Sequence, residues 1–232
     1  MCRYLSFRIL SLSVIACGVA TVASADPQLP VPVIPHAPPG YLLVSEELWT
    51  HLLDETGRHL DRARDAFLNG HVRTSAGELR KAAIMMRIEA SNGQQRADLS
   101  LLHAARDLEG LAHAILSGKS IDSIDELDTL SSQALAALAK HAQLKAAAAW
   151  KGQHNRRSGQ YLRAAADNLE RAAFRARSQI TVATSGAIKN ARVLSEKLVD
   201  GTDYAIDEIN SGIESIGHQI EHFEHSLMRR PE

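Results

Sequence analysis

Proline is confined to the two ends of this chain. The seven prolines lie at positions 27, 30, 32, 35, 38, 39 and 231, so residues 40–230 contain none. Proline removes a backbone donor and clashes with the preceding helical turn, which costs about 3 kcal/mol in a helix interior. A long proline-free run that is rich in Ala, Leu, Glu, Lys and Arg therefore predicts successive helices.

A helical hairpin occurs twice within this run. Residues 59–83 and 141–165 match at an offset of 82, and the identical pairs are His59/His141, Ala66/Ala148, Gly70/Gly152, Gly77/Gly159, Ala82/Ala164 and Ala83/Ala165. The motifs Leu79-Arg80 and Leu162-Arg163 match only after a one-residue shift. Each copy has an Ala-rich segment, a Gly, a short polar turn and an Ala/Leu-rich segment, a pattern that predicts an αα-hairpin.

Apolar residues recur at three- and four-residue steps through the run, which predicts an all-α fold. We expect an antiparallel helical bundle built from two similar αα-hairpins plus a long C-terminal helix. The first five helices are expected at about 45–69, 75–90, 96–117, 123–150 and 158–176. The capping boxes Ser75-x-x-Glu78 and Ser123-x-x-Glu126 are expected to begin the second and the fourth.

The last stretch of the chain, residues 180–229, leaves two interpretations open. Its apolar stripe crosses Asp200-Gly201 without a phase shift, which favours one continuous, bent helix with the spacing of a coiled-coil seam. The glycines within it weaken a continuous helix. A break at Asp200-Gly201 is the alternative.

Residues 1–25 have the pattern of an export signal. A basic start is followed by an apolar segment and by Ala23-Ser24-Ala25, a small-residue cleavage pattern before Asp26. We therefore expect a periplasmic or secreted protein. In a competing interpretation, Val14-Ile15-Ala16-Cys17 is a lipobox, and Cys17 would tether a lipoprotein to the membrane. A retained segment is the third possibility.

Three segments follow from these signals: a signal peptide at 1–25, a Pro-rich spacer at 26–44 and a helical domain at 45–229. The spacer is expected to be extended and semi-rigid, or else a disordered tail. Cys2 and Cys17 are the only cysteines, so a mature chain that begins at Asp26 has no thiol for disulfides, zinc sites or nucleophilic catalysis.

Charge argues against nucleic acid as a partner. The chain has 26 basic and 27 acidic side chains, a net charge of −1. Loss of Arg3 and Arg8 with the signal leaves 24 basic side chains and a net charge of −3. Phosphate backbones are bound by basic surfaces, so we expect no nucleic-acid binding.

Two histidine clusters are candidate metal sites. His218, Glu221, His222 and His225 share one face of a helix, and His218-x-x-Glu221-His222 has the inverted zinc-protease spacing. The apolar stripe lies nearly opposite these histidines, so we expect them to face water. A surface contact with a metal or haem is the alternative. The second cluster, His51, Glu55 and His59, is equally consistent with a structural helix face.

Other polar groups carry weaker hypotheses. Arg163, Arg171 and Arg175 share a helix face, so they could bind an anionic lipid or acidic partner, or form an outer face balanced by Asp167 and Glu170. The repeat partners His59 and His141 could each lie near a hairpin groove. An exported bundle with 11 histidines could also respond to acid, since histidine titrates near pH 6.5. Trp150 and Tyr161 are interpreted as core or hairpin anchors.

Two segments resemble a known family. Ala66-Phe67-Leu68-Asn69-Gly70 and Glu78-Leu79-Arg80-Lys81-Ala82, with their second copies, are similar to YfdX-type exported helical proteins of bacteria. The likeness covers about 60 residues in two pieces. It implies a soluble periplasmic helical protein linked to envelope stress, and it carries over no catalytic residues.

Three functional classes follow. We expect a non-catalytic, exported or envelope-associated protein that binds a partner or client or self-associates, with a role in stress response. A histidine-based carrier of metal, haem or a small ligand is the alternative. An enzyme is not expected, because the sequence has no phosphate-binding loop, nucleophile elbow or spaced Ser, His and Asp set. The sequence defines no cofactor.

Overall fold

The structure is a computed structural model that describes residues 7–8, 13–14, 41–44, 46–91, 96–118, 124–178 and 180–228. Side chains are described from residue 54 onward, except at 96–98. The predicted lipidation site Cys17, the predicted cleavage site after Ala25, the prolines and the predicted cap Ser123 therefore lie outside the described residues.

The described residues form seven helices, and these confirm the predicted all-α fold. They are α1 Glu46–Leu68, α2 Val72–Ser91, α3 Arg96–Leu116, α4 Ile124–Lys151, α5 Asn155–Arg175, α6 Val182–Asp200 and α7 Ile206–Met228. None of these helices, in the part of the chain that is described, has the length and apolarity that crossing a bilayer requires.

Three short strands precede the helices. They are β1 Phe7–Arg8, β2 Ser13–Val14 and β3 Tyr41–Val44, in the order β1-β3-β2. Strand β1 pairs antiparallel with β3, and β2 pairs parallel with it. Strands β1 and β2 lie within the predicted signal, and β3 is the end of the predicted spacer. Cleavage after Ala25 would remove both partners of β3.

Helix α4 is central among the described helices. It packs against α3, α5 and α7, and α5 packs in turn against α6. The helices approach closely because their facing positions are Ala, Ser and Leu. The hydroxyl of Ser132 donates to the carbonyl of Ala172, and the hydroxyl of Ser158 donates to the carbonyl of Ala146. The largest fully buried side chains include Leu60, Leu79, Met86, Leu108, Leu135, Leu162, Leu169 and Leu194.

Helix directions alternate, so the bundle has two distinct ends. The end that we call the Leu68 end holds the α1–α2, α3–α4 and α5–α6 connections and the last turn of α7. Contacts between distant helices agree with this. Asp54 and Asp61 of α1 bind Arg171 and Arg175 of the parallel helix α5. The opposite end holds the α2–α3, α4–α5 and α6–α7 connections.

The C-terminal stretch is two helices, so the favoured prediction of one continuous helix is wrong. Gly201 takes a left-handed conformation with φ of 70°, and the amide of Thr202 donates to the carbonyl of Lys197. Helix α7 then folds back on α6, where Thr184 binds Gln219. An unbroken apolar stripe did not distinguish one long helix from two that share a buried face.

Two predicted helix starts are also wrong. Helix α2 begins three residues before the predicted capping box, so Ser75 is a buried residue of the second turn, and Glu78 binds His59 instead of a backbone amide. Helix α5 begins at Asn155, and its Ser158 binds the neighbouring helix. Both serines lie where helices meet, and packing there requires small side chains.

The two hairpins have the same turn, but at an offset of 83 instead of 82. In the first, the amides of Gly70 and His71 donate to the carbonyls of Phe67 and Ala66. In the second, the amides of Gln153 and His154 make the same two bonds to Trp150 and Ala149. This is the Schellman pattern. The one-residue shift seen at Leu79-Arg80 was therefore the true register of the repeat.

Left-handed turn residues are glycine in three of five described cases, Gly70, Gly118 and Gly201. The other two are Gln153, with φ of 59°, and Arg177, with φ of 48°. A residue with a Cβ loses roughly 1–2 kcal/mol in this conformation. Arg177 ends α5 through the same pair of bonds, since its amide donates to Phe174 and that of Ser178 donates to Ala173.

Candidate functional site

The histidine cluster of α7 faces solvent, as the apolar stripe predicted. His218, Glu221, His222 and His225 are all exposed, whereas Ile216, Ile220 and Phe223 on the other face are buried. Glu221 forms an ion pair with Lys140, and this hydrogen bond lowers its pKa. No group of three or more His, Cys, Asp or Glu side chains is placed to hold a metal ion in the described part of the chain.

Of the second cluster, only Glu55 and His59 have described side chains, since the His51 side chain lies outside the described residues. His59 is buried against α2. His59 Nδ1 lies 2.6 Å from Glu78 Oε2, and its Nε2 lies 3.6 Å from Glu55 Oε1. Burial raises the pKa of Glu78, but hydrogen bonds from Lys81 and His59 lower it more. His59 thus joins α1 to α2.

His141 lies in a second buried group, which joins α2 to α4. Its Nε2 is 3.3 Å from Glu89 Oε2, and Lys145 Nζ donates to the same oxygen over 2.8 Å. Burial raises the pKa of Glu89, but Lys145 and His141 lower it by more than burial raises it, and the resulting pKa is about 2. Glu89 is therefore a buried carboxylate ion that holds the two hairpins together.

Arg163, Arg171 and Arg175 do not form the docking face for anions that was one of the two alternatives. Arg171 binds Asp54, and the buried Arg175 binds Asp61, because this side of α5 lies against α1. The predicted partners Asp167 and Glu170 instead bind Arg192 of α6. Of these three arginines only Arg163 is exposed, and it lies 3.8 Å from Asp167, as the balanced-face alternative predicted. Arg171 and Arg175 instead lie in an interface between helices.

A cavity of about 270 Å³ opens where α1, α4 and α5 meet at the Leu68 end. We call it the arginine cavity, and its lining is Arg64, Asp128, Ala173, Phe174, Arg175, Arg177 and Ser178. Arg64 donates two hydrogen bonds to the buried Asp128, of 2.7 and 3.2 Å, which raise the pKa of Arg64. Arg175 lies 3.6 Å and Arg177 3.9 Å from the same carboxylate.

A second cavity, of about 210 Å³, lies between α5 and α6. Two of its polar side chains bind each other, since Arg192 lies 2.5 Å from Glu170, and Arg192 also lies 2.6 Å from Asp167. These two acids raise the pKa of Arg192. The arginine of this cavity is therefore already bound across the two helices.

Trp150 and Tyr161 anchor the second hairpin, as predicted. Tyr161 is buried, with Lys145 Nζ 5.5 Å from its ring centre. Trp150 is half-buried, donates to Asn210 over 2.7 Å and meets the ring of Tyr204 edge to face at 5.7 Å. Both aromatic side chains therefore fix α4 against neighbouring elements.

The sequence interpretation missed Glu89, Lys145, Asp128 and Arg64. Two of them carried a visible signal. Glu89 follows the buried Met86 by three residues and precedes the buried Ala90. Asp128 lies seven residues before the buried Leu135. A charge at helical spacing within an apolar stripe predicts a buried ion pair, although the partner on another helix cannot be identified from spacing.

The arrangement favours binding over acid-base chemistry at the arginine cavity. Its lining includes no histidine, and its one carboxylate faces three guanidinium groups.

In comparisons with known proteins, the chain matches no family model, no curated protein and no solved structure.

Proposed function

We propose that this chain is a non-catalytic, exported protein of the cell envelope that binds a protein partner or client through the Leu68 end of its bundle. Export is supported by the pattern of residues 1–25, and a role in stress is supported by the resemblance to YfdX-type proteins. The observation on which partner binding depends is the distribution of exposed apolar side chains.

Twelve large apolar side chains are exposed among the described residues. Seven are in the terminal turns or connections of the Leu68 end: Leu68, Val72, Leu116, Phe174, Ile180, Val182 and Met228. Only Leu99 and Ile206 hold such positions at the opposite end. Exposed apolar side chains that gather in one region are typical of surfaces that bind another protein.

Site-specific photocrosslinking tests this proposal. A photoreactive phenylalanine analogue would replace Val182, which is 91% exposed, or Ile206, which is 66% exposed at the opposite end, in cells that export the protein. We expect a crosslinked product of defined mass from position 182 and none from 206. The partner identified from that product should bind the purified protein and should lose affinity for Val182→Asp. Equal crosslinking at both positions, or none at 182, would contradict the proposal.

Mass spectrometry of the mature protein tests the proposal that the protein is exported. We expect an N-terminus at Asp26. A lipid-modified Cys17 would instead establish the tethered alternative, and an intact residue 1 would establish the retained segment. An intact chain found only in the cytoplasmic fraction would contradict export.

A further inference from the structure

The arginine cavity has more positive charge than its own lining neutralises. Three guanidinium groups, those of Arg64, Arg175 and Arg177, face one carboxylate, that of Asp128. Asp61 pairs with Arg175 and Asp125 pairs with Arg177, but both acids lie outside the lining, and their side chains are 44% and 64% exposed. Exposed ion pairs contribute little free energy in water, so an anion that enters the cavity can replace either carboxylate as the partner of its arginine.

The guanidinium groups of the cavity have further hydrogen-bond donors for such an anion. Each guanidinium carries five N–H groups in a planar fork that matches a carboxylate or a phosphate. Arg175 and Asp128 are buried, which fixes the position of the donors before a ligand arrives.

Arg177 supplies a second, independent observation. It holds a left-handed conformation at the end of α5, where glycine is used at Gly70, Gly118 and Gly201. Strained backbone conformations persist only where the surrounding structure holds them, and they cluster at ligand-binding sites. The Arg177 guanidinium lines the cavity and lies 3.1 Å from Asp125.

Phe174 adds an apolar wall to the charged one. Its side chain lines the cavity and is 74% exposed. An exposed aromatic ring beside arginines suits a ligand with an apolar or aromatic body. A cavity of about 150 Å³ holds a benzene molecule, so the 270 Å³ here suits a body of one or two rings.

We propose that the arginine cavity binds a small organic anion, a carboxylate or phosphate attached to an apolar or aromatic body. The acid group lies among Arg64, Arg175 and Arg177, and the body lies against Phe174. This site goes beyond partner binding, because it takes a small molecule and its occupation needs no second protein.

Isothermal titration calorimetry of the full-length mature protein with three probe molecules tests the site. 1-Naphthyl phosphate has both features, 1-naphthol has only the rings, and inorganic phosphate has only the anion. We expect 1-naphthyl phosphate to bind at least about tenfold more tightly than either of the others, since a charge-assisted hydrogen bond changes affinity by about that factor. Equal binding of 1-naphthol, or no binding of 1-naphthyl phosphate at millimolar concentration, would overturn the proposal.

Substitutions of lining residues test whether 1-naphthyl phosphate binds in this cavity. Arg177→Gly and Phe174→Ala should each weaken 1-naphthyl phosphate binding, by about tenfold for the arginine. Gln153→Gly relieves the same backbone conformation at the opposite end, and Val182→Ala shortens another exposed apolar side chain. Both controls should bind like the unmodified protein.

Affinity of Arg177→Gly within twofold of the unmodified protein would overturn the assignment. Circular dichroism checks that each variant is folded. If Arg177→Gly were to unfold, Phe174→Ala would decide, because its exposed ring contributes little to folding. Failure of this test would leave the crosslinking at position 182 unaffected.

Discussion

The two hairpins have the same type of turn but differ in the side chains that lie between their two helices. In the second, α4 and α5 meet through small side chains, and the buried hydroxyls of Ser132 and Ser158 bind backbone carbonyls across the interface. In the first, α1 and α2 are joined by the buried pair His59 and Glu78. The second hairpin is central and is covered by α3, α6 and α7.

The facing side chains explain this difference. Small side chains such as Ala, Ser and Gly let α4 and α5 approach closely. Between α1 and α2, the buried His59 and Glu78 need further partners, which Glu55 and Lys81 supply. The repeat therefore preserves the turn and its bonds, while the facing residues differ.

Glu89→Gln tests the charged group that joins the two hairpins, and we expect the largest effect there. Removal of this carboxylate leaves Lys145 and His141 without their shared buried acceptor. Breaking a buried pair typically costs 3–5 kcal/mol, and we expect a loss of about 3 kcal/mol of unfolding free energy in urea titration.

Glu221→Gln is the matched control for that change. It breaks the Lys140 to Glu221 pair, whose carboxylate side is 52% exposed, and should cost less than about 1 kcal/mol. The double variant Glu89→Gln/Lys145→Met should recover part of the loss, because both charges are then absent. A Glu89→Gln cost no greater than that of Glu221→Gln would show that the buried group does not hold the hairpins together.

The free energy of unfolding should depend on pH through the titration of the same carboxylate, Glu89. The folded-state pKa of Glu89, about 2, lies below the ordinary value of 4.5. Its contribution to stability is therefore present above pH 4.5 and is lost as the pH falls from 4.5 towards 2. The loss is about 3 kcal/mol. Urea titrations at pH 6, 4 and 3 should show a steeper decline for the unmodified protein than for Glu89→Gln, and parallel declines would refute this assignment.

The sequence predicted the all-α fold because the proline-free run and the apolar periodicity report local physics directly. It located the turn near Gly70 and Gly152, but the one-residue shift was visible only at Leu79-Arg80 and Leu162-Arg163, since a left-handed Gln153 has no sequence signal. The solvent-facing α7 histidines followed from the stripe. The arginine cavity did not, because Arg64, Asp128 and Arg177 come from three different helices or their ends, and only packing brings them together.

Alanine substitutions at one glycine in the second helix of each hairpin should have opposite effects. At Gly159 an added Cβ would lie 2.7 Å from the carbonyl oxygen of Ser195 and 2.9 Å from the Cβ of Leu198, so α5 and α6 would have to move apart. We expect Gly159→Ala to cost about 2 kcal/mol. Gly77 meets nothing within 4 Å, so Gly77→Ala should stabilise the protein by about 0.5–1 kcal/mol. Thermal unfolding of both variants measures this, and equal shifts would contradict the central position of α5.

The smallest expected effect concerns the shared turn. Gly70→Ala places a Cβ on a residue with φ of 73°, and Gln153→Gly removes one from a residue with φ of 59°. The first change should cost about 1 kcal/mol, and the second should gain less than that, because glycine also increases the freedom of the unfolded chain. Urea titration of each variant and of the double variant gives both values. If Gly70→Ala had no cost, or if both changes were destabilising, the two turns would not be equivalent, and the offset of 83 would not describe the repeat.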